Sequence, residues 1–489
     1  MRVLLVSTYE LGHQPLHLAA PAGALVRAGH EVRCADVSLD PLAGEDVDWA
    51  EALACSVPMH TAMRLARPLL AGVHARRPEL ALCVYGLYAV LDAGDDAVAD
   101  VAIAGEYQEA LVAWADAGAQ RGLPVDTRGG DARPGDGRTL VTLGRSRPAL
   151  PARSLLPSLE RYARLAAFGT EHLAGYVEAS HGCAHRCRHC PVPVVYDGRT
   201  RIVSEEALVE DVAQLVAAGA RHVTLGDPDF LNGPHHARRA LAALHGAFPE
   251  LTFDVTVKVE HVLAHRDLWP DMAAAGVLFA VSAFESASDT VLGLLDKGHC
   301  VRDEVEAVGV LRSVGIEPRP SLLPFTPWST ADDVLDLLDL VATCDLVGNV
   351  DPVQYAIRLL VPPGSLLLSS GALEGRLRGY DPERLGWTWR AGDPRLDALA
   401  ERLGVLADRA GAEQWPAAAA YDAVRAEALS VLGAGGRPLP APDPRLVSAV
   451  APDERPRLTE AWFCCAEPTG TQQDRSQFAP TTDARCLVQ

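Results

Sequence analysis

The stretch Glu178-Ala179-Ser180-His181-Gly182-Cys183-Ala184-His185-Arg186-Cys187-Arg188-His189-Cys190-Pro191 carries three cysteines in the pattern Cys-x3-Cys-x2-Cys. It follows directly on the apolar segment Ala174-Gly175-Tyr176-Val177. Three thiolates close together on one loop favour a site for a soft metal. We therefore predict that Cys183, Cys187 and Cys190 are metal ligands.

The number of cysteines bears on the kind of metal centre. A [4Fe–4S] cluster contains four irons and usually takes four cysteines, so three ligands leave one iron open. An open iron can bind a substrate or a cofactor, whereas a closed cluster only carries electrons. A structural zinc ion, with His181, His185 or His189 as its fourth ligand, is the alternative. It fits less well, because zinc sites normally draw on a second ligand pair further along the chain.

Length, charge and cysteine usage are typical of a large enzyme. The chain has 489 residues, which predicts about three domains. Its formal charge of −20 argues against nucleic acid or an anionic membrane surface as the main partner. Neither a signal peptide nor a membrane span is predicted. The odd number of cysteines, 11, argues against a disulfide framework and for a reducing, cytoplasmic location. Lysine occurs only at Lys258 and Lys297.

Residues 1–145 alternate between strand and helix signals, which predicts a doubly wound parallel sheet of the Rossmann type. The predicted strands are Val3–Ser7, Glu31–Ala35, Ala52–Val57, Ala81–Gly86 and Val101–Gly105. Such sheets bind ligands outside the carboxyl ends of their strands. Residues 119–160 are rich in Gly, Pro, Arg and Asp, which indicates a stretch without ordered core, and we assign 146–170 as a linker.

Residues 171–370 show a series of β/α units, which predicts an open (β/α)6 barrel, a partial TIM barrel. The predicted strands are Tyr176–Glu178, His222–Gly226, Leu251–Val257, Leu278–Ser282, Gly315–Pro320 and Val353–Ile357. Residues 371–489 are predicted to form a mostly helical region, with helices around 394–432, followed by a cysteine-containing tail.

The cysteine spacing and the barrel pattern resemble the radical S-adenosylmethionine (SAM) superfamily. This resemblance implies that the open iron of a [4Fe–4S] cluster chelates SAM. It also implies that an electron from the reduced cluster cleaves SAM to methionine and a 5′-deoxyadenosyl radical, which abstracts hydrogen from unactivated carbon.

The resemblance further implies a set of cofactor-binding residues at the strand ends. Leu225-Gly226-Asp227 takes the place of a Gly-Gly-Glu motif that receives the SAM amino group. The following Pro228-Asp229-Phe230-Leu231-Asn232 is similar to a segment of cobalamin-type radical SAM proteins. The other residues that the resemblance assigns to SAM are His189, near adenine, and Lys258, Glu260, Ser282, Glu285 and Arg319.

The N-terminal part resembles the cobalamin-binding domain that precedes many radical SAM barrels, through Gly29-His30-Glu31-Val32 and Gly105-Glu106-Tyr107. The base-off cobalamin pattern Asp-x-His-x-x-Gly is replaced by Glu10-Leu11-Gly12-His13. The departure leaves His13 as a candidate cofactor contact and puts a lower axial cobalt ligand in doubt. Cobalamin is thus one interpretation of this domain. An inherited Rossmann-like domain that holds a substrate, or nothing, is the other.

The end of the chain carries a second signature, Ala461-Trp462-Phe463-Cys464-Cys465-Ala466-Glu467-Pro468, followed by Cys486. It resembles the tail of the CUAEP/CCAEP-tail radical SAM proteins, in which the second cysteine position is selenocysteine in some members. That interchange implies that Cys465, assisted by Cys464 and Cys486, takes part in catalysis as a nucleophile or soft ligand. Adjacent cysteines do not form a relaxed disulfide.

The sequence thus predicts a radical SAM enzyme that modifies a small molecule, by radical chemistry or by cobalamin-assisted methyl transfer, with the tail cysteines taking part. One alternative is transfer of the 3-amino-3-carboxypropyl group of SAM to arsenic or selenium held by the tail thiols. A redox-sensing Fe–S protein is an alternative of another class. The expected partner is an electron donor such as flavodoxin or ferredoxin, with no nucleic acid and no membrane.

Overall fold

A computed structural model describes residues 1–92, 96–122, 133–134, 138–145 and 148–460. The described chain forms two compact units, one of Met1–Arg161 and one that begins at Tyr162. Within the described residues, no helix is both long and apolar enough to span a membrane.

The first unit contains a seven-stranded sheet in the order β2-β1-β3-β4-β5-β7-β6. Its strands are β1 (Arg2–Ser7), β2 (Glu31–Asp36), β3 (Ala52–Ser56), β4 (Ala81–Tyr85), β5 (Val101–Gly105), β6 (Arg133–Pro134) and β7 (Thr139–Thr142). Strands β1 to β5 and β7 are parallel, and only β6 is antiparallel to its neighbour. Strands β3, β4 and β5 are buried along their whole length, as their continuous apolar runs predict. The predicted doubly wound sheet is confirmed.

Helices connect these strands and cover the sheet. They are α1 (Leu16–Arg27), α2 (Gly44–Trp49), α3 (His60–Arg76) and α4 (Gln108–Asp116), with short 3-10 helices at Ala89–Leu91, Arg153–Leu155 and Leu159–Arg161. The prediction that residues 119–160 lack ordered core is wrong for part of the stretch, since β7 pairs with β5 and Leu156 packs in the core. The average composition concealed the short apolar run around Leu140.

The second unit is built on a seven-stranded sheet in the order β15-β14-β13-β12-β9-β8-β18. Its strands are β8 (Arg164–Ala167), β9 (Thr170–Val177), β12 (His222–Leu225), β13 (Thr252–Thr256), β14 (Val277–Glu285), β15 (Glu317–Leu322) and β18 (Arg457–Leu458). The five strands β9, β12, β13, β14 and β15 are parallel, and β8 and β18 extend the β9 edge in antiparallel fashion.

Two small antiparallel sheets accompany this sheet, β10 (Ser180–Gly182) with β11 (Thr200–Ile202) and β16 (Leu377–Asp381) with β17 (Gly386–Trp389). The helices are α5 (Val192–Tyr196), α6 (Glu205–Ala217), α7 (Pro234–Ala247), α8 (Val259–Ala264), α9 (Trp269–Ala274), α10 (Asp289–Leu295), α11 (Val301–Ser313), α12 (Ala331–Thr343), α13 (Leu366–Ser369), α14 (Pro394–Ala412) and α15 (Ala417–Leu432). Short 3-10 helices lie at Phe230–Asn232, Arg266–Leu268, Val347–Asn349, Pro352–Ala356 and Pro452–Glu454.

The sixth predicted barrel strand, Val353–Ile357, is wrong. Its residues form the 3-10 helix Pro352–Ala356, and only the single bridge between Phe325 and Arg358 continues the sheet beyond β15. Proline at the first helical position favours the start of a helix, and a short apolar run does not by itself distinguish strand from helix. The helices predicted around 394–432 are present as α14 and α15, whereas the β16–β17 hairpin was not predicted.

Candidate cluster and cofactor site

The three cysteines lie on one loop between β10 and α5. Gly182 ends β10 with φ of 76°, and a Cβ at this position would lie 2.3 Å from the carbonyl oxygen of Arg199. Only glycine therefore allows the chain to turn into the loop here. The loop is held by the Arg188 N–H, which donates to the carbonyl of Leu295 at 2.9 Å, and by the Cys190 N–H, which donates to the carbonyl of Cys187 at 3.2 Å.

The three thiols are free, with Cys183 and Cys187 buried and Cys190 half-buried. Burial raises the pKa of Cys183, and burial together with the neighbouring Cys187 raises the pKa of Cys190 to about 12. The thiols of Cys183 and Cys190 therefore stay protonated unless a cation binds them, because a metal deprotonates a coordinating thiol outright. The donor set thus fits a group that brings positive charge, as the irons of a [4Fe–4S] cluster do.

The spacing of the thiols bears on the zinc alternative. Of the His, Cys, Asp and Glu side chains that the structure describes, only His185, Asp229 and His261 form a group of three with ligand atoms all within 4.8 Å of one another. Zinc–sulfur bonds would place tetrahedral sulfurs about 3.8 Å apart. The three thiols are therefore spread more widely than the ligands of one zinc ion, which favours a cluster with several metal atoms.

A buried ionic network adjoins the thiol loop. Glu285 ends β14 with φ of 68°, and its Oε1 lies 3.0 Å from Lys297 Nζ and 3.2 Å from His189 Nε2. Burial opposes both charges, but the mutual attraction outweighs it, so the pKa of Glu285 is held well below its usual range and that of Lys297 is raised. Lys297 also interacts electrostatically with Cys187 and Cys190. A buried ammonium group thus supports negative charge on the thiol loop.

Gly226 and Asp227, predicted to receive the SAM amino group, are already engaged within the protein. A Cβ on Gly226 would lie 2.1 Å from the ring of Tyr176, so this glycine makes room for Tyr176. The Asp227 carboxylate accepts from the Ala179 N–H at 2.9 Å and from the Ser180 hydroxyl at 2.6 Å. Burial raises the pKa of Asp227 to about 7. The assignment of both residues to SAM stays a prediction.

The remaining predicted SAM contacts lie along β13, β14 and β15. Lys258 precedes α8, and its Nζ lies 3.2 Å from Glu260 Oε2. The Ser282 hydroxyl donates to the carbonyl of Val257 at 2.7 Å. Arg319 lies within β15 rather than at its end, because the strand continues to Leu322, and its guanidinium pairs with Asp351 at 3.0 Å. The buried Nη1 of Arg319 has no hydrogen-bond partner, so it remains available to an anionic ligand.

Lys297 and the group of His185, Asp229 and His261 were not predicted as sites from the sequence, although His185 was a candidate fourth ligand of the alternative zinc ion. One sequence feature could have indicated a functional role for Lys297, because it is one of only two lysines in the chain. His185, Asp229 and His261 come from separate segments, and their spacing in the sequence matches no metal motif. Burial, with a further contribution from Lys258, lowers the pKa of His185 and favours its neutral imidazole, the form that binds metals.

In the first unit, the loop Thr8–Gln14 follows β1 at the carboxyl edge of the sheet, and His13 within it is buried. The loop is tied down by side chains. Glu10 Oε2 accepts from the His17 N–H at 3.3 Å, and the Gln14 side-chain amide donates to the carbonyl of Pro157 at 2.9 Å. The predicted catalytic residues Cys464, Cys465 and Cys486 lie outside the described residues.

This chain is similar in sequence to a known protein superfamily and to several curated proteins. The Radical SAM superfamily profile matches residues 177–341. The ribosomal protein uS12 methylthiotransferase RimO of Thermus thermophilus is 29% identical over 201 residues, which are 37% of this chain and 46% of the relative. The hopanoid C-3 methylase of Methylococcus capsulatus is 24% identical over 331 residues, 64% of this chain and 62% of the relative. The chain thus spans less than two thirds of the length of these curated relatives.

Two solved structures share the fold. The cobalamin-dependent SAM radical enzyme OxsB, with aqua-cobalamin and SAM bound, superimposes with a TM-score of 0.61 at 13% identity, over 82% of this chain and 66% of that chain. The radical SAM methyltransferase TsrM from Kitasatospora setae, with tryptophan and a SAM analogue bound, gives a TM-score of 0.55 at 17% identity, over 79% and 82%. The curled sheet of the second unit is accordingly a radical SAM partial barrel. Residues 177–341 therefore carry a domain of the radical SAM superfamily, which implies a [4Fe–4S] cluster and SAM.

Proposed function

We propose that this radical SAM enzyme transfers a methyl group from SAM to a small molecule, with a corrinoid in the first unit as methyl carrier. The observation that carries the proposal is the presence, in one chain, of a thiol loop on a radical SAM barrel and a preceding sheet whose first five strands run 2-1-3-4-5. Sheets of this order bind cofactors at the switch point between the first and third strands. The similarity to a methylase over 64% of the chain supports the same interpretation.

One polar group at this switch point is left for a ligand. Strands β1 and β3 end in Ser7 and Ser56, both of which are buried. The Ser7 hydroxyl is buried and has no hydrogen-bond partner, which leaves one polar group for a ligand to satisfy. His13 is buried in the adjoining loop. Because the Asp-x-His-x-x-Gly pattern is absent, we do not assign His13 as an axial ligand.

In the barrel unit, side chains supply charged groups and keep water away from them. With the cluster and SAM bound, the site supplies an electron and cleaves a C–S bond of SAM. Lys297 stabilises negative charge on the thiol loop from a buried position, and Glu285 in turn stabilises Lys297. Arg319 offers a buried, unpartnered N–H for a carboxylate. Each group is buried, so water is kept from the charges it would otherwise screen.

The identity of the products from SAM tests the proposal. Full-length protein is produced with hydroxocobalamin, its cluster is reconstituted anaerobically, and it is incubated with reductant, metabolite extract and SAM that carries a deuterated methyl group. We expect bound corrinoid and a metabolite with the deuterated methyl group. We also expect S-adenosylhomocysteine from the SAM that gives its methyl group, and 5′-deoxyadenosine with methionine from a second SAM, whose radical takes the substrate hydrogen that the methyl group replaces. Methylthioadenosine as the main product would instead indicate transfer of the 3-amino-3-carboxypropyl group, and 5′-deoxyadenosine from corrinoid-free protein would also refute methyl transfer. A His13→Ala variant serves as control and should keep its corrinoid.

The reaction also needs a source of electrons. A low-potential flavoprotein or iron–sulfur protein, such as flavodoxin or ferredoxin, is the proposed donor, and the expected compartment is the cytoplasm. The unpaired thiols of the described cysteines are compatible with this reducing environment. The strongly negative net charge of −20 makes nucleic acid an unsuitable substrate in this proposal.

A further inference from the structure

Beside the thiol loop, two imidazoles and one carboxylate converge without belonging to the predicted cluster. We propose that His185, Asp229 and His261 form a second metal site for one divalent cation of the zinc or iron(II) type. Two imidazoles and one carboxylate are a donor set that both ions accept. The inference does not depend on methyl transfer or on a bound corrinoid.

The three side chains come from three separate elements. His185 lies on the thiol loop between Cys183 and Cys187, Asp229 immediately precedes the 3-10 helix Phe230–Asn232, and His261 lies on α8. His185 Nε2 is 3.2 Å from His261 Nε2 and 3.7 Å from Asp229 Oδ2. Ligands of a tetrahedral zinc ion stand about 3.3 Å apart. One ligand atom from each of the three side chains lies within 4.8 Å of the other two, so small side-chain rotations would bring all three to one ion.

The strongest indication is a buried carboxylate that faces both imidazoles. The Asp229 side chain is 0% exposed, and its Oδ2 lies 2.7 Å from His261 Nδ1. This close contact lacks hydrogen-bond geometry, so both buried atoms are without a hydrogen bond. Burial of a carboxylate oxygen without a hydrogen bond is costly, and a cation between this oxygen and the imidazoles would offset the cost. The other oxygen, Oδ1, accepts from the Leu231 N–H at 3.1 Å, so Oδ2 is the oxygen that faces the imidazoles.

The surrounding charges are compatible with a cation. Glu260 Oε2 lies 3.7 Å from His185 Nδ1, the ring nitrogen that does not point to Asp229. A carboxylate on the second nitrogen of a ligand histidine is a common support for metal binding. Lys258 Nζ, 3.2 Å from Glu260, opposes the cation. Two carboxylates still outnumber this one ammonium, so the group is net negative before a metal binds.

Such a cation would have a definite structural effect. It would join the loop that carries the cluster cysteines to the segment after β12 and to the helix after β13. The two imidazoles are in contact already, with ring centroids 4.6 Å apart. The alternative explanation is a network in which His185 and His261 share a proton and no metal binds.

Cobalt(II) is a suitable probe, because its spectrum distinguishes nitrogen and oxygen ligands from thiolates. The test uses the full chain with Cys183, Cys187 and Cys190 all replaced by alanine, so that the loop thiols do not compete. We expect one bound Co²⁺ without sulfur charge-transfer absorption. His261→Ala and Asp229→Asn should each weaken binding at least about tenfold. Asp229→Asn keeps the acceptor for the Leu231 N–H, and melting temperatures verify that each variant folds.

His265→Ala is the matched control, since its ring lies 5.5 Å from that of His261 but is not one of the three ligands. It should bind Co²⁺ as tightly as the parent. In the reconstituted holoenzyme, His261→Ala should lose zinc or the additional iron while it keeps the cluster absorption. No Co²⁺ binding, thiolate-type absorption throughout, or equal affinity in His261→Ala and His265→Ala would each overturn the proposal and favour the proton-sharing network.

Discussion

The carboxyl edges of the two parallel sheets differ in how their buried polar groups are satisfied. In the first unit, Glu10 and Gln14 bond to neighbouring chain segments, and Ser7 is the one described side chain with an unsatisfied buried polar atom. In the barrel unit, atoms of this kind occur at several points near the thiol loop and the strand ends. They belong to His189, Asp229, Asn232, His261, His299, Glu304 and Arg319.

This difference separates an edge whose buried polar groups are mostly bonded within the protein from one at which several are not. Buried polar groups are normally hydrogen-bonded, so a concentration of exceptions indicates groups that a ligand satisfies. Cleavage of SAM is therefore expected to depend on the barrel edge, whereas the first unit would bind the corrinoid at an edge whose polar groups are mostly bonded within the protein. The five predictions below test that contrast, from the largest expected effect to the smallest.

The largest effect should come from removing the three thiols together. A Cys183→Ala, Cys187→Ala, Cys190→Ala variant should contain essentially no iron after anaerobic reconstitution and should not cleave SAM, because no other ligands for the cluster are predicted. Iron and sulfide analysis with absorption spectra measures this. Cys344→Ala, which removes a buried thiol elsewhere in the same unit, should retain its iron. Near-stoichiometric iron in the triple variant would refute the ligand assignment.

The second prediction concerns the tail, where Cys465→Ser keeps the side-chain shape but loses thiolate character. If the tail acts in catalysis, the variant should keep its iron and melting temperature, cleave SAM without coupling, and fail to modify the native substrate. Cys300→Ser, at a half-buried thiol of the barrel unit, is the control and should remain active. Full product formation by Cys465→Ser, or by a chain that ends before Ala461, would confine the chemistry to the barrel edge.

The third prediction concerns the buried ion pair of Glu285 and Lys297. Glu285→Gln leaves the Lys297 ammonium buried without a counter-charge, which should lower the free energy of unfolding by about 3–5 kcal/mol. Chemical denaturation of the barrel unit within the full chain measures it. Adding Lys297→Met should restore most of the loss. Glu306→Gln, which breaks the exposed pair with Arg266, should cost under about 1 kcal/mol. Equal losses in the two single variants would contradict the inferred role of burial.

The fourth prediction is a pH dependence that arises from Asp227. Burial raises its pKa from 3.8 to about 7 in the folded state. The unfolded chain therefore releases this proton at lower pH than the folded chain. The contribution of Asp227 to stability is thus greatest below pH about 4, falls as pH rises to about 7, and then levels off, with a total on the order of a few kcal/mol. Melting curves of Asp227→Asn should lack this fall. The same slope in wild type and variant would assign the effect to another group.

The smallest effect is expected at the first unit. Ser7→Ala removes its unsatisfied buried hydroxyl, so the free energy of unfolding without corrinoid should rise by up to about 1 kcal/mol. Thr8→Ala is the matched control, because the Thr8 hydroxyl donates to the carbonyl of Ala62 at 2.9 Å and its loss should destabilise. If Ser7→Ala also binds less corrinoid, the hydroxyl contacts that ligand. A marked loss of stability in Ser7→Ala would show that the Ser7 hydroxyl makes a stabilising contact in the folded protein. That result would contradict the inferred difference between the two edges.

The sequence determined the superfamily of the barrel domain through local patterns. The spacing of Cys183, Cys187 and Cys190 needs no knowledge of distant residues, since all three lie within one loop. Five of the seven described strands of the first unit, β1 to β5, were also predicted within a residue or two, because continuous apolar runs bounded by glycine or polar residues leave few alternatives. A short apolar run next to a proline predicted the secondary structure less reliably. Val353–Ile357, predicted as a strand, lies mostly in the 3-10 helix Pro352–Ala356.

Only the tertiary structure decided which polar side chains meet. Asp227 has the acidic character expected of its motif, but the approach of β9 to β12 brings its carboxylate to Ala179 and Ser180. Lys297 joins Glu285 across twelve residues, and His185 meets His261 across 76 residues. Such contacts depend on strand register and on the direction in which each side chain leaves its element. Neither strand register nor side-chain direction can be read from a single sequence, because both depend on how the whole core packs.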